Sequence, residues 1–184
     1  MFDTPSEAVF YIKHFPENRI AFKKELYFEL INRKYEDILP ELLNLYNAEE
    51  MDLFESELNS RGLLSSGRSF KIYRLLWKRG PEFKKISEKY LKVAAELHYW
   101  RAELEYVKLQ VKTLSSENIS EFIGFCNTVS TKSKPYVLLI EAHLYRDGIC
   151  LEKDVTRYKE LLYESATLGN TEAESELKHL NKIE

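Results

Sequence analysis

The sequence predicts an all-α protein assembled from stacked helix pairs. Three observations point there. Apolar residues recur at helical spacing in nearly every segment. Only 6 Gly and 5 Pro occur in 184 residues, fewer turn residues than a β-sandwich or barrel of this length needs. A step of 35–36 residues then relates successive helix pairs over the C-terminal two thirds of the chain. The composition is that of an ordinary soluble protein, with 44% hydrophobic and 31% charged residues. The length suits one all-α domain with a continuous core: 1–62 as degenerate N-terminal helix pairs, 63–184 as about three repeats and a C-terminal capping helix.

The elements follow in order. Thr4-Pro5-Ser6-Glu7 reads as a capping box with proline at the first helical position, opening a helix to about His14. Pro16 interrupts it, and a second helix is expected over 18–33. Leu39, Leu42, Leu43 and Tyr46 form a third stripe, and Met51, Phe54 and Leu58 a fourth that ends at Arg61-Gly62. The next helix covers 67–79 and stops at Gly80-Pro81. Phe83, Ile86, Tyr90, Ala94 and Leu97 share one face over 81–97. Ala102, Tyr106 and Leu109 mark a helix over 99–112. Over 117–130 the stripe is Ile119, Phe122, Ile123, Cys126 and Val129, with Ser116 as the expected cap. Pro135 opens a helix to about Arg146, ended by Asp147-Gly148. The apolar run Val137–Ile140 is short enough for a strand, but Pro135 and the following Ala142, Leu144 and Tyr145 favour helix. Asp154 caps a helix running to Leu168 and stopped by Gly169, and a last helix over 171–182 buries Ala173, Leu177 and Leu180.

About ten helices joined by short loops form either a globular bundle or a solenoid of pairs, and the repeat favours the solenoid. Stepping back from the last pair, Ala166 maps to Ser130 and then Ala95, Gly169 to Ser133 and then His98, and Ala173 to Val137 and then Ala102. Small residues suit places where two helices cross closely, and Gly169 suits a left-handed helix end.

Residues 137–177 resemble a Sel-one-like repeat, a relative of the tetratricopeptide repeat. The matching positions are Ala142, Tyr145, Gly148, Asp154, Ser165-Ala166, Gly169-Asn170, Ala173 and Leu177. The departures are Cys150 for the pattern's second Gly, Leu151 for Val, Tyr158 for Ala and Ser165 for Ala. The resemblance implies a right-handed α-solenoid of antiparallel helix pairs, with no sheet and a concave surface lined by the first helix of each pair. It also implies a protein that binds other proteins, as an adaptor or assembly platform. Secreted relatives with a Cys pair in every repeat are linked to β-lactam binding, and this chain has no such pairs.

Net charge is −3 but unevenly spread: −7 over 1–60, +8 over 61–92 and −4 over 93–184. The basic block either steers an acidic partner or neutralises acidic neighbours within the fold. In the register of the resemblance, the groove-facing candidates are Tyr136, His143 and Arg146 in the last clear unit, and Arg101, Lys108 and Lys112 in the one before. In the basic unit either Tyr73 and Trp77, or Arg68, Lys71 and Lys78, face inward, depending on whether the unit is aligned by period or by Gly80.

No catalytic pattern is visible. His14, His98, His143 and His179 make no HExxH, and Glu176 with His179 is a single Glu-x-x-His where a di-metal bundle site needs two. His98 stands where the repeat prefers Gly, which suggests a helix end or an interface. Cys126 lies on an apolar stripe and reads as a small buried hydrophobe, whereas Cys150 lies in the Gly148 loop. Gly67-Arg68-Ser69 is not a nucleophile elbow, and no Gly-rich phosphate loop occurs. No catalytic residue, metal or cofactor is therefore expected. Two Cys make no disulfide framework, the start MFDTPSEAVF has no secretory pattern, and no apolar run approaches the roughly 18–20 residues of a membrane span, so the expected location is the cytoplasm.

The expected function is a non-enzymatic one: binding another protein with an acidic surface through a basic, aromatic-bearing groove. The chain would act as an adaptor or as a bacterial immunity protein that inhibits a toxin. Nucleic-acid binding through 68–92 is the alternative, because aromatics interleave there with Lys and Arg, although a pI of about 5.9 opposes it. An enzyme with converging carboxylates is a third class.

Overall fold

The computed structural model describes residues 39–180, together with Thr4, Glu7, Phe10, His14, Lys24, Glu25, Tyr27, Phe28, Glu29 and Ile31. Among these residues every regular element is helical and none is a strand. Pro5, Ser6, Pro16, most of the helix expected over 18–33, the Leu42 side chain and 181–182 lie outside the described residues. The chain divides into two compact units, Met1–Leu97 and His98–Glu184. The division falls inside the stretch 63–184 over which the repeats are expected.

In the first unit the capping box forms: the Glu7 amide donates to Thr4 Oγ1 and the Thr4 amide to Glu7 Oε2, each at 3.3 Å. Helices α1 (Leu39–Leu43), α2 (Ala48–Ser60), α3 (Ser66–Trp77) and α4 (Lys84–Glu96) follow, with a 3-10 turn over Pro81–Phe83 before α4. Pro81 opens that turn, as its missing N–H allows. Helix α2 carries a second capping box, Asn47 with Glu50. Helix α3 packs along α4, α2 also meets α4, and α1 meets α3. The core between them is aromatic: Tyr27, Tyr46 and Phe54 are fully buried with ring centroids 5.2–5.6 Å apart. Phe83, Ile86, Tyr90 and Ala94 face inward as their spacing requires, while Leu97 is exposed because the helix ends at Glu96.

The second unit holds α5 (Trp100–Val111), α6 (Ile119–Thr128), α7 (Lys134–Asp147), α8 (Val155–Thr167) and α9 (Thr171–Leu180). Ser116 is not the cap of α6. Asn118 stands at that position, and its Oδ1 accepts from the Ser115 amide at 2.8 Å, tightening the preceding turn instead. Asp154 does cap α8, accepting from the Arg157 amide at 2.9 Å.

Helix α7 lies between two apolar clusters. Its Val137 and Leu144 join Val107, Ile119, Phe122 and Cys126 on one side. Its Leu138, Leu139 and Ala142 join Tyr158, Leu161, Leu162 and Ala173 on the other. The Pro135 carbonyl, at the start of α7, accepts from Ser165 Oγ at 2.5 Å and Asn170 Nδ2 at 3.1 Å. The end of α8 therefore sits beside the start of α7, and the two helices run antiparallel. The beginning of α9 lies at the same end, so α9 runs parallel to α7.

Helices α2, α4, α6 and α8 begin at Ala48, Lys84, Ile119 and Val155, which keeps the 35–36-residue step; α3, α5, α7 and α9 begin at Ser66, Trp100, Lys134 and Thr171, 34–37 residues apart. At the end of α8, Gly169 has φ +92°; at the matching end of α4, His98 takes φ +57°, a conformation glycine adopts freely and histidine does not. No described helix is long and apolar enough to cross a membrane.

Candidate functional site

Of the eight candidate groove residues, Tyr73 and Trp77 belong to the first unit and six to the second. Tyr73 does not face outward: it is 7% exposed, with its ring against Phe70 and Trp77, because it shares the inner stripe of α3 with Ile72 and Leu76. Trp77 remains 44% exposed, with Lys84 Nζ 5.9 Å from its ring.

The alternative basic residues of this unit are largely engaged. Arg68 Nη1 donates to the Leu63 carbonyl at 2.7 Å, and Lys71 and Arg74 also interact with other groups. Arg79 closes the end of α1 by donating to the Leu43 carbonyl, and its guanidinium lies 3.7 Å from the Phe83 ring. Lys89 pairs with Asp52 at 2.5 Å and Lys92 with Glu96 at 3.8 Å. Much of the +8 segment thus serves to close helix ends and neutralise acidic neighbours. Lys78 and Lys85 are exposed.

In the second unit, Arg101 and Lys108 of α5 and Lys112 just past its end are exposed, spaced so that they share one side of the helix. The Arg101 guanidinium lies 5.2 Å from the Trp100 ring. On α7, Tyr136 is 51% exposed, while His143 and Arg146 are half-buried. The two helices pack together. The α5 side is therefore cationic, and the α7 side adds an exposed phenol, an imidazole and a guanidinium.

His143 and Arg146 converge with two residues outside the expected groove set, Tyr158 and Glu176. Glu176 of α9 accepts from His143 Nε2, at 2.9 Å on Oε1 and 3.1 Å on Oε2. The Tyr158 hydroxyl of α8 donates to Glu176 Oε2 at 3.0 Å, and Arg146 Nη1 stands 3.9 Å from the same oxygen. Arg146 also grips Asp147 through two bonds of 2.8 and 3.0 Å. Asp147 is held below the usual carboxylate range, chiefly by this bond. Burial raises the Tyr158 phenol, and donation to Glu176 raises it further. Tyr158 stood out in the sequence only as a departure from an expected Ala; Glu176 carried no signal apart from its proximity to His179, which is not its partner here.

A second carboxylate centre lies at the start of α5. Glu103 is 0% exposed, yet it accepts from the Ser130 amide at 2.8 Å, Ser130 Oγ at 2.5 Å, the Ser133 hydroxyl and His98 Nδ1 at 3.1 Å. Burial pushes its pKa up, but these bonds outweigh it and hold the carboxyl below its ordinary value. Ser130 and Ser133 therefore serve as hydrogen-bond donors to Glu103, in addition to being small at a crossing. The site is structural, tying the α6–α7 turn to the first turn of α5.

Cys126 is buried, and burial pushes its thiol up to about 12, which suits a packed hydrophobe. Among the described residues no group of three or more His, Cys, Asp or Glu is placed to hold a metal ion. Compared with known families, curated proteins and solved structures, the chain finds no match.

Proposed function

We propose that this chain is a non-enzymatic helical-repeat protein that binds another protein through the exposed side of α5 and α7. In this account the second unit is a piece of right-handed α-solenoid, with α5, α7 and α9 as the first helices of successive pairs. The partner offers an acidic surface to Arg101, Lys108 and Lys112, and packs against Tyr136. The chain acts in the cytoplasm, as an adaptor or as a bacterial immunity protein that blocks a toxin.

The observation that carries this is the placement of those residues. They stand outside both apolar clusters while α7, between the clusters, is otherwise mostly buried. Tyrosine and arginine are the residue types that anchor interfaces, and Tyr136 and Arg101 are both exposed. Nucleic-acid binding through 68–92 loses ground, because much of that segment's charge is engaged locally.

Co-expression with a toxic protein encoded beside its gene tests the immunity version. Survival is expected, with Arg101→Glu/Lys108→Glu losing it; continued death of cells carrying the intact chain overturns that version. For either version the double variant slows association at low salt, and an unchanged rate counts against the face.

A further inference from the structure

Two carboxylates of the second unit collect several hydrogen bonds each, and their surroundings differ. Glu103 is sealed from solvent, and its partners include the turn it anchors. Glu176 is half-exposed, as are His143 and Arg146, so water and an incoming group reach the cluster. Its hydrogen-bond donors come from two other helices, His143 from α7 and Tyr158 from α8, and the Arg146 guanidinium of α7 adds a positive charge 3.9 Å away. Two donors and one cation around a solvent-reachable carboxylate make a receptor for an anionic side chain. His143 and Arg146 belong to the proposed docking face.

We propose that Glu176 is an internal competitor for that face. In the free protein it fills the receptor formed by His143, Arg146 and Tyr158. An acidic side chain of the partner takes its place, and Glu176 turns out to solvent. Helix α9 stays docked through buried Ala173 and the partly buried Leu177 and Leu180. The exchange swaps one carboxylate for another on the same donors, so no buried charge is left unpaired. It tunes affinity downward and favours partners with a carboxylate that reaches this point.

The proposal rests on the docking face, and the test separates the two. A fluorescent peptide of alternating Glu and Asp is titrated at low salt into the intact chain, Glu176→Gln, Glu172→Gln and Arg101→Glu/Lys108→Glu. Glu172 is an exposed acid one turn earlier on α9, so its variant changes net charge equally without touching the cluster. Circular dichroism first confirms that each variant is folded. The expected result is binding on the order of tenfold tighter in Glu176→Gln, the scale of one charge-assisted hydrogen bond released from competition, and no comparable gain in Glu172→Gln. Equal affinities for the intact chain and Glu176→Gln, with loss in the double variant, overturn the competitor and leave the face. Equal gains in both glutamine variants reduce the effect to bulk charge and overturn it too. No binding by any form, Glu176→Gln included, removes the face itself.

Discussion

At the scale of single residues, two buried glutamates of the second unit have opposite roles. Glu103 is held below its ordinary pKa because hydrogen bonds from Ser130, Ser133 and His98 outweigh the burial that raises it. Its contribution to stability is present above the unfolded pKa and is lost as pH falls through the folded one. Glu141 is also buried, and there burial dominates and raises its pKa, with Arg157 and Lys134 only partly offsetting it. A raised carboxyl favours folding below the unfolded pKa and loses that contribution as pH rises through the folded pKa. Glu103→Gln should therefore cost about 1–3 kcal/mol near neutral pH, because one of the two accepting oxygens becomes an NH2 that faces donors. Glu141→Gln should be neutral or stabilising there, with its advantage fading in acid. Urea unfolding at several pH values checks both, and a stabilised Glu103→Gln contradicts the first. None of this was legible in the sequence. A glutamate on a helix reads as solvated until a second segment, here 27 and 30 residues further on, is folded onto it.

At the scale of helices, local rules were sufficient. Period, proline and glycine placed the described helices from α2 onward within a few residues, because each helix buries a stripe whose spacing is set by its own geometry. The misses were at ends. Ser116 and Asn118 compete for one cap, and the turn that includes Ser115 decides between them. Gly169 offers a clean test of an end. A Cβ there meets nothing within 4 Å, so Gly169→Ala is opposed by its φ of +92° alone. It should cost about 1–2 kcal/mol. Gly124 lies inside α6 with equally open space, and Gly124→Ala should stabilise by about 0.5–1 kcal/mol. Thermal melting of the two variants checks the pair, and equal shifts would contradict the argument. His98 shows the same physics from the other direction. It keeps the left-handed turn at the position matching Gly169, and its 59% exposed side chain reaches back to Glu103.

At the scale of the molecule, the all-α class was readable because each described helix carries its own apolar stripe, and the 35–36-residue step recurs in the starts of α2, α4, α6 and α8. The use of the charges was not. Composition counts Lys and Arg without saying which ones close a helix end, as Arg79 does for α1, or answer a nearby carboxylate, as Lys89 does for Asp52. The block that looked most like a docking patch is largely occupied, whereas Arg101, Lys108 and Lys112 are exposed. Tyr136→Ala should change stability by less than about 0.5 kcal/mol while weakening partner binding, since the ring is exposed. Equilibrium unfolding and a binding isotherm on the same variant check this, and a large loss of stability would assign the ring to the core. The most direct measurement of the central claim is an amide NMR titration of the intact chain with the acidic peptide. Shifts should gather on α5 and α7 around Arg101, Lys108, Tyr136 and His143; shifts confined to the neighbourhood of Lys78 and Lys85, or none at all, would contradict docking on this face.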